Sequence, residues 1–459
     1  MEHFDVAVIG GGLLGCFAAR NLRRMALSVV LAERREDLCT GISRANTAIV
    51  YPGYDHRPGS LKAELCVRAN RDFETLCREL DVPFSRCGSL MISCDGMAEA
   101  RLLQKYRQGL ENGVPGLQLL DRDALLETEP GLGPGVCSAL YAPTAGTVNP
   151  WELGIAACEN AVQNGAQLRL NTAVINILRA DGGYIIETDQ GEIACRAVVN
   201  CAGMDAHRVQ ELLFPPSVRI RPTAGDYLVL DKALDALPRH ILQFEPAEGS
   251  KGLTAVPTVE GSLLLGPSER ENHRDRAVES EGLRFVKDSA ARLLPGLDLD
   301  GVIRSFAALR PNPCLPNRGS IKDFALLHPA PGFWSFIGIK TPGMTCADKL
   351  GLYVAEELAK ELAAGNNPDF DPCRPGPVRP CTFSTEARRR LVENDPDQGE
   401  ILCRCEGVTV GQVLEAIRRG AVTVDGVKRR TGACMGRCQG SRCSFAIEKL
   451  LEEARHGAR

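Results

Sequence analysis

The sequence predicts an α/β protein built from a Rossmann-like nucleotide-binding domain, a mixed-sheet cap domain and a small α-helical domain at the C-terminus. Three observations predict it. A glycine-rich turn joins an apolar strand pattern to an amphipathic helix pattern near the N-terminus. Alternating strand patterns fill residues 86–141 and 218–327, and two close pairs of cysteines bracket short helical patterns after a proline-dense run.

The chain has 459 residues, a length that suits two or three structural units, and its 44% hydrophobic content is ample for a large core. Acidic residues outnumber basic ones by 58 to 54, so no positive field is available to hold nucleic acid. No apolar run approaches the roughly 18 residues that span a bilayer. The N-terminus enters a strand pattern with no basic segment or cleavage site, which predicts a cytoplasmic protein without a transmembrane segment. Nineteen cysteines then read as reduced thiols plus a metal site, with Cys158, Cys195 and Cys201 as small buried hydrophobes.

Residues 5–9 (DVAVI) read as a buried strand, and Gly10, Gly12 and Gly15 follow in G-x-G-x-x-G spacing before a helix pattern over 13–24. The glycines permit the turn and let backbone approach a pyrophosphate, while the helix start offers amides at Leu13 and Leu14. Alone, this pattern also fits a plain loop. A second strand over 28–32 ends at Glu33, about 20 residues past the turn, where a carboxylate binds a ribose hydroxyl; Arg34 follows it. Together they predict dinucleotide binding.

Three features favour FAD over NAD. The site begins at residue 5, no second G-x-G-x-x-G occurs, and two later segments return toward a flavin. One is a strand over 196–200 running into Cys201-Ala202-Gly203, whose small residues let backbone pass close to a cofactor. The other, residues 336–345, carries Gly338, Lys340, Gly343, Met344 and Thr345 into a helix through Leu358. Lys340 and the helix start would stabilise negative charge on reduced flavin; the alternative is a solvated surface lysine. With no C-x-x-C in the chain, a disulfide beside the ring is not expected, and electrons must leave by another route.

The run from Asn366 to Pro380 is rich in Pro, Asn and Gly and marks a linker. Beyond it, Cys403-Arg404-Cys405 and Cys438-Gln439-Gly440-Ser441-Arg442-Cys443 supply two thiol pairs. Between and after them, Thr409 caps one helix pattern, Thr423 caps another, and a last one begins at Ser444. So short a domain rarely holds a core unaided, and a metal or cluster would supply it. Thiolates suit zinc or iron–sulfur alike. Arg404, Lys428, Arg429, Arg430, Arg437 and Arg442 lean the reading toward an anionic cluster, and Cys434 stands near as a fifth thiol.

The glycine turn, Glu33, the stretch Gly41-Ile42-Ser43-Arg44-Ala45-Asn46-Thr47 and Lys340-Thr341 together resemble the D-amino-acid-oxidase superfamily. Within it, Pro58-Gly59-Ser60-Leu61-Lys62-Ala63 is similar to the L-2-hydroxyglutarate dehydrogenase group. The segment from Cys403-Arg404-Cys405-Glu406 through Met435-Gly436-Arg437-Cys438-Gln439-Gly440 to Cys443 resembles the bacterioferritin-associated-ferredoxin-like [2Fe-2S] domain. Both in one chain look like the catalytic subunits of anaerobic glycerol-3-phosphate dehydrogenases, a resemblance covering nearly the whole length.

That resemblance implies FAD contacts at Ser43, Asn46 and Thr47 as well as at the glycine turn and the two returns. It implies cluster ligands Cys403, Cys405, Cys438 and Cys443, with Cys434 excluded because relatives commonly place Gly there. It divides the chain into a FAD-binding domain (1–85, 142–217, 328–365), a cap (86–141, 218–327), a linker (366–398) and a [2Fe-2S] domain (399–455). Two departures stand out: Tyr51 replaces a His of many relatives, removing the expected base for a hydroxyl proton, and Leu309-Arg310-Pro311-Asn312-Pro313 is unusual.

Arg310 is expected to hold a substrate carboxylate or phosphate, as the resemblance implies, against the alternative of a surface salt bridge. Tyr51 and Tyr227 are candidate pocket residues, and His56, His207 and His240 candidate bases. The expected enzyme is a FAD-dependent dehydrogenase of glycerol 3-phosphate or a 2-hydroxy acid. Hydride would pass from a small anionic substrate to flavin N5, and electrons through the [2Fe-2S] cluster to a partner protein or quinone-linked acceptor. That fits a subunit of a hetero-oligomeric complex and leaves room for peripheral membrane association. The alternatives are a dehydrogenase of a secondary amine or amino acid of the sarcosine, proline or opine type, and a non-catalytic electron-relay subunit.

Overall fold

The computed structural model describes residues 2–245, 252–271, 274–317 and 319–457. The chain divides into two compact units, Met1–Arg374 and Pro375–Arg459. Among the described residues the larger unit is built on two large sheets and carries a small third one of Ile49–Val50, Gly146–Val148 and Phe84–Ser85.

The first sheet starts with β1 (Glu2–Ile9), continues through the glycine turn into α1 (Leu13–Arg23), and returns as β2 (Val29–Ala32) parallel to β1. All four residues of β2 are buried, as are the last four of β1, which is why both read as unbroken apolar runs. The long strand β3 (Gly191–Asn200) pairs parallel with β1 on its other side, and its end also pairs with β6 (Phe333–Ile337). A helix, α4 (Gly343–Glu361), follows β6 and packs on α1, where Gly351 allows close approach: a Cβ there would lie 2.8 Å from the Phe17 backbone.

Helices α2 (Leu61–Glu79) and α3 (Pro150–Gln163) complete this layer, and one buried cation ties them together. Arg20 of α1 has no exposed side-chain surface. It donates to Glu79 at 2.7 Å, Asn160 at 3.0 Å, the Pro372 carbonyl at 3.2 Å and Asp348 at 3.5 Å. A buried guanidinium persists only when partnered this fully, so losing one carboxylate would strand charge in the core.

The second sheet has nine strands and is mixed. Its longest ladder joins β4 (Arg219–Leu230) and β5 (Val302–Cys314) antiparallel along nearly their whole lengths. The strands fed by 86–141 lie at its other end, Ser89–Ser93 pairing with Ser138–Ala142.

The smaller unit carries a hairpin of Ile401–Cys403 and Val408–Thr409 and the helices α6 (Val410–Arg418), α7 (Val424–Thr431) and α8 (Ser444–Arg455). Thr409 forms a capping box with Gln412, and Thr423 caps α7 through the Gly426 amide. The run expected as linker is not structureless. Residues through Arg374 belong to the larger unit, where Arg374 is buried and paired with Glu159 at 2.7 Å. Past Pro380, Ser384 caps a helix of its own, α5 (Thr385–Asn394), which buries no residue. The proline-dense run carried no sign of that helix. Among the described residues no helix is long and apolar enough to cross a membrane.

Candidate active site and cluster site

At the glycine turn, Gly10 adopts φ +105°, a conformation that costs L side chains dearly, and a Cβ there would lie 2.7 Å from the Cys201 carbonyl. A Cβ on Gly15 would overlap the Gly10 carbonyl at 1.8 Å, so this glycine seats the helix on the strand. Around Gly12 a Cβ would meet only Ser43 Oγ, at 3.2 Å, which leaves that face open for an approaching group. The Leu13 amide donates to Ser43 Oγ at 3.0 Å, so Ser43 supports the turn directly. Glu33 accepts from the Gly11 amide at 2.6 Å and the Arg35 amide at 2.9 Å, which sets its carboxylate at the turn.

Arg34, paired with Asp205 at 2.9 Å, belongs to a basic corner that sequence reasoning missed. Burial lowers the Arg276 pKa, and Arg44, Arg35 and Arg34 press it further down. Arg34, Arg35, Arg44 and Arg276 therefore share one basic neighbourhood. Arg276 carried no local signal, because it reaches this corner from the far side of the sequence.

Ala202 and Gly203, the latter at φ +59°, follow β3, whose Asn200 is fixed by the Ala206 carbonyl and Ser335. Asn46 donates to the Ser43 carbonyl and accepts from the Ala48 amide, an Asx turn that sets the stretch before Thr47. At the second return, Gly338 has φ +67° and lies against Pro313, and Gly343 lies against Ile339. Lys340 donates to Asn312 rather than standing free in solvent. Met344 packs against the core of the first sheet. Thr345 is buried and accepts the Tyr51 amide at 3.0 Å while donating to the Ile49 carbonyl at 3.4 Å, pinning the start of α4 to the Tyr51 loop.

The β4–β5 register brings Arg310 and Tyr227 together. Phe306 and Arg310 lie on one face of β5, since residues two apart share a face, and they pair across with Tyr227 and Thr223. Tyr227 stacks on Phe306 with ring centroids 5.0 Å apart, and its hydroxyl accepts from Arg310 Nη2 at 3.4 Å. Glu269 stands 3.8 Å from Nη1. Burial would lower the Arg310 pKa, but Tyr227, Glu269 and Tyr51 outweigh it and the shift is upward. Burial also pushes the Tyr51 hydroxyl to about 12, with Thr47 and Arg310 drawing it down and Tyr227 opposing them. Arg310, Tyr227 and Tyr51 therefore form one neighbourhood, and Asn312, two positions past Arg310 on the same strand, accepts from Lys340, which arrives beyond the end of β6.

Of the three histidines, His240 has a paired ring nitrogen, whereas His56 Nε2 and His207 Nδ1 are buried without a hydrogen-bond partner. His240 meets Glu129 at 2.7 Å, and His207 is buried at the start of its own helix. His56 lies by Cys66: burial would raise that thiol, but Cys346 and His56 bring it down to about 6. A cavity of about 230 Å³ touches Thr345 from between α2 and α4, yet its charged lining is paired, Lys349 with Asp72 at 2.9 Å and Arg24 with Glu79 at 3.8 Å. It belongs to the helix packing.

In the smaller unit the thiols form two neighbourhoods. Cys434 Sγ and Cys443 Sγ are 3.4 Å apart with Cys403 beside them, and Cys405 lies with Cys438. Among the described residues no three such groups stand in metal-binding geometry. Burial raises Cys403, Cys434 and Cys443, whereas the Gly440 amide holds the more open Cys438 below the usual thiol value. Amide donors aimed at sulfur, including that of Cys434 toward Cys403 and Cys443, suit an anionic thiolate cluster.

The larger unit thus sets a glycine turn, met by the end of β3 at Cys201 and Ala202, on a largely parallel sheet beside a second, mixed sheet, and the smaller unit carries the clustered cysteines. The family model for FAD dependent oxidoreductases matches residues 5–357, and that for the BFD-like [2Fe-2S] binding domain matches 401–453. The chain belongs to the FAD-dependent oxidoreductase family, binds FAD and carries a [2Fe-2S] domain. It is 39% identical over 457 residues to a glycerol 3-phosphate dehydrogenase of Caloramator mitchellensis, covering 98% of this chain and 94% of that one. It is 30% identical over 325 residues to the mitochondrial L-2-hydroxyglutarate dehydrogenase of Homo sapiens, covering 66% and 68% of the two. Its fold matches that of the FAD-bound L-alpha-glycerophosphate oxidase from Mycoplasma pneumoniae at TM-score 0.76 and 23% identity, covering 83% and 100%.

Proposed function

We propose that this enzyme oxidises glycerol 3-phosphate at its secondary alcohol carbon, in the cytoplasm, and delivers the two electrons to a partner protein or quinone-linked acceptor. The observation that carries this reading is the end-to-end similarity to a glycerol 3-phosphate dehydrogenase, which spans both the flavoprotein frame and the cysteine-bearing unit. FAD supplies a hydride acceptor and the [2Fe-2S] cluster a one-electron acceptor. Gly10, Gly12, Leu13, Leu14, Gly15, Glu33, Arg34, Ser43, Asn46 and Thr47 would hold the nucleotide end of FAD, and Ala202, Gly203, Gly338, Lys340, Gly343, Met344 and Thr345 its flavin end. Cys403, Cys405, Cys438 and Cys443 would hold the cluster.

Arg310 binds the substrate phosphate. Its planar fork offers two parallel donors, and Tyr227, braced by Phe306, keeps the guanidinium aimed. With its pKa pushed to about 12, Tyr51 stays protonated at neutral pH and donates a hydrogen bond to the substrate rather than taking its proton. Lys340, held by Asn312, places a cation at the flavin end of the site.

A second reading, oxidation of a 2-hydroxy acid, draws support from the L-2-hydroxyglutarate dehydrogenase relative, since the same arginine fork would take a carboxylate. Anaerobic flavin bleaching separates the two. Glycerol 3-phosphate should bleach the flavin faster than L-2-hydroxy acids or N-substituted amino acids. Bleaching by a 2-hydroxy acid alone would transfer the assignment to the second reading.

A further inference from the structure

We propose that Cys434 and Cys443 form a reversible disulfide when the iron–sulfur cluster is absent, making this pair a thiol switch on cluster loading. The proposal rests on the reading that Cys403, Cys405, Cys438 and Cys443 are the ligands and Cys434 is not. It starts from a backbone oddity. Cys434 adopts φ +67°, a left-handed conformation that glycine enters freely and that a residue with a Cβ enters at a cost. A glycine would serve the turn better, so the side chain must be explained by what it does.

The thiol of Cys434 is buried and points at a ligand. Its Sγ lies 3.4 Å from Cys443 Sγ, nine positions along the chain, and both residues are almost wholly enclosed. Gly440, at φ +88°, floors the site: a Cβ there would stand 3.0 Å from Cys434 Cβ and 3.1 Å from its Sγ. A disulfide needs the sulfurs at about 2.05 Å, so the two have to close from the 3.4 Å at which they stand. With the cluster present, Cys443 is bound to iron and Cys434 stays a free thiol. Once the cluster is lost, Cys443 is left beside a sulfur that is always available.

The oxidant is a peroxide. One thiolate attacks hydrogen peroxide, giving a sulfenic acid and hydroxide; the second thiol then attacks that sulfur, forming the S–S bond and expelling water. In sum, two thiols and one peroxide become one disulfide and two waters. With Cys443 tied to Cys434 the ligand set is incomplete, so the cluster cannot be rebuilt until a dithiol reductant opens the bond.

The sequence makes the test clean. Trypsin cutting after Arg430, Arg437, Arg442 and Lys449 places Cys434, Cys438 and Cys443 on separate peptides, and Arg404 separates Cys403 from Cys405. Full-length protein is stripped of iron anaerobically, treated with one equivalent of hydrogen peroxide, alkylated and digested without reductant. The expected cross-link joins peptide 431–437 to 443–449. Treated wild-type protein should lose its capacity to take up iron and sulfide until dithiothreitol is added, whereas Cys434→Gly, which suits the left-handed turn, should reload without it. A cross-link between Cys405 and Cys438 alone, or equal reloading of the two proteins before reductant, overturns the switch. Cys434→Gly that lacks iron as isolated would instead overturn the ligand assignment beneath it, and mass spectrometry tells these failures apart.

Discussion

Gly12 and Gly15 sit three residues apart in one turn, yet the structure assigns their missing side chains to different things, and a paired substitution separates them. In Gly15→Ala the new Cβ would stand 1.8 Å from the Gly10 carbonyl. Ordinarily an Ala for Gly inside a helix gains roughly 0.5–1 kcal/mol. Here relieving the overlap requires a shift of backbone that Gly10, already at φ +105°, resists, and overpacking of this kind costs about 1–3 kcal/mol. The net is destabilising. Gly12 has φ −81° and ψ 178°, an extended helix-cap conformation open to any residue, and its Cβ would meet only Ser43 Oγ. Asn is a good helix cap, so Gly12→Asn should change the protein's own stability by no more than about 0.5 kcal/mol.

Bound cofactor stabilises whatever binds it, so the comparison belongs on flavin-stripped protein. For domains this large, each kcal/mol moves the melting midpoint by roughly 2–4 °C or less. Stripped Gly15→Ala should therefore melt a few degrees below wild type, and stripped Gly12→Asn close to it. Both should be isolated with little flavin, the second because its side chain would stand where the proposed site puts the pyrophosphate. Gly12→Asn purified with a full complement of FAD would refute the placement of the diphosphate. A Gly15→Ala midpoint equal to wild type would refute the packing argument.

Arg310→Lys should weaken glycerol 3-phosphate binding by about 1.5–3 kcal/mol per lost charged hydrogen bond, read as a rise in KM, and Arg310→Ala should do more; unchanged kinetics in both would move the anion anchor elsewhere. Burial, aided by Arg208 and Arg274, lowers the His207 pKa below its unfolded value. Folding therefore resists protonation there: the stability is full above about pH 6.5 and is lost as pH falls through that value toward the folded pKa. His207→Gln should flatten the fall in denaturation midpoint between about pH 7 and pH 5, and an unchanged slope would count against the assignment. Serine at Cys403, Cys405, Cys438 or Cys443 should each remove iron and the reduced-state EPR signal while leaving substrate bleaching of the flavin intact; stoichiometric zinc in wild-type protein purified without oxygen would contradict this.

The parts of this molecule legible in the sequence are those whose physics is local. The strand, turn and helix through Gly15 needed only apolar periodicity and glycine spacing, and Glu33 follows at the end of the next strand. The caps at Thr409 and Thr423 declared themselves by residue type. What escaped was assembled by chain return. Arg276 joins Arg34, Arg35 and Arg44 only because the cap sheet folds back toward the glycine turn, and nothing near it in sequence marks the destination. The pairing of Lys340 with Asn312 likewise depends on two strands of different sheets ending together. A lysine read on its own has no feature that tells a held cation from a solvated one. Helix α5 was lost for another reason: the proline signal before it was strong, and a helix that buries nothing carries no amphipathic stripe to set against it.

The cysteines of the smaller unit do double duty, and this yields the last prediction. Its apolar core counts Cys403 and Cys443 among the buried residues around Val413, Val427 and Ile447, so two of the groups that would hold the cluster are also packing groups. A domain of this size buries too little to be firmly stable alone, and a cluster that binds only the folded arrangement adds its binding energy to folding. Removing the iron should therefore loosen α6, α7 and α8 without unfolding them outright, because Val413, Val427 and Ile447 remain enclosed whether or not the thiolates are ligated. The first sheet, with β1, β2 and β3 buried in a core of their own, has no reason to respond. Hydrogen exchange on anaerobic protein before and after chelation resolves this helix by helix. Protection should fall in residues 410–455 and hold in 2–32 and 191–200; equal protection of the three helices in both states would mean that the apolar core suffices and that the cluster contributes nothing to folding.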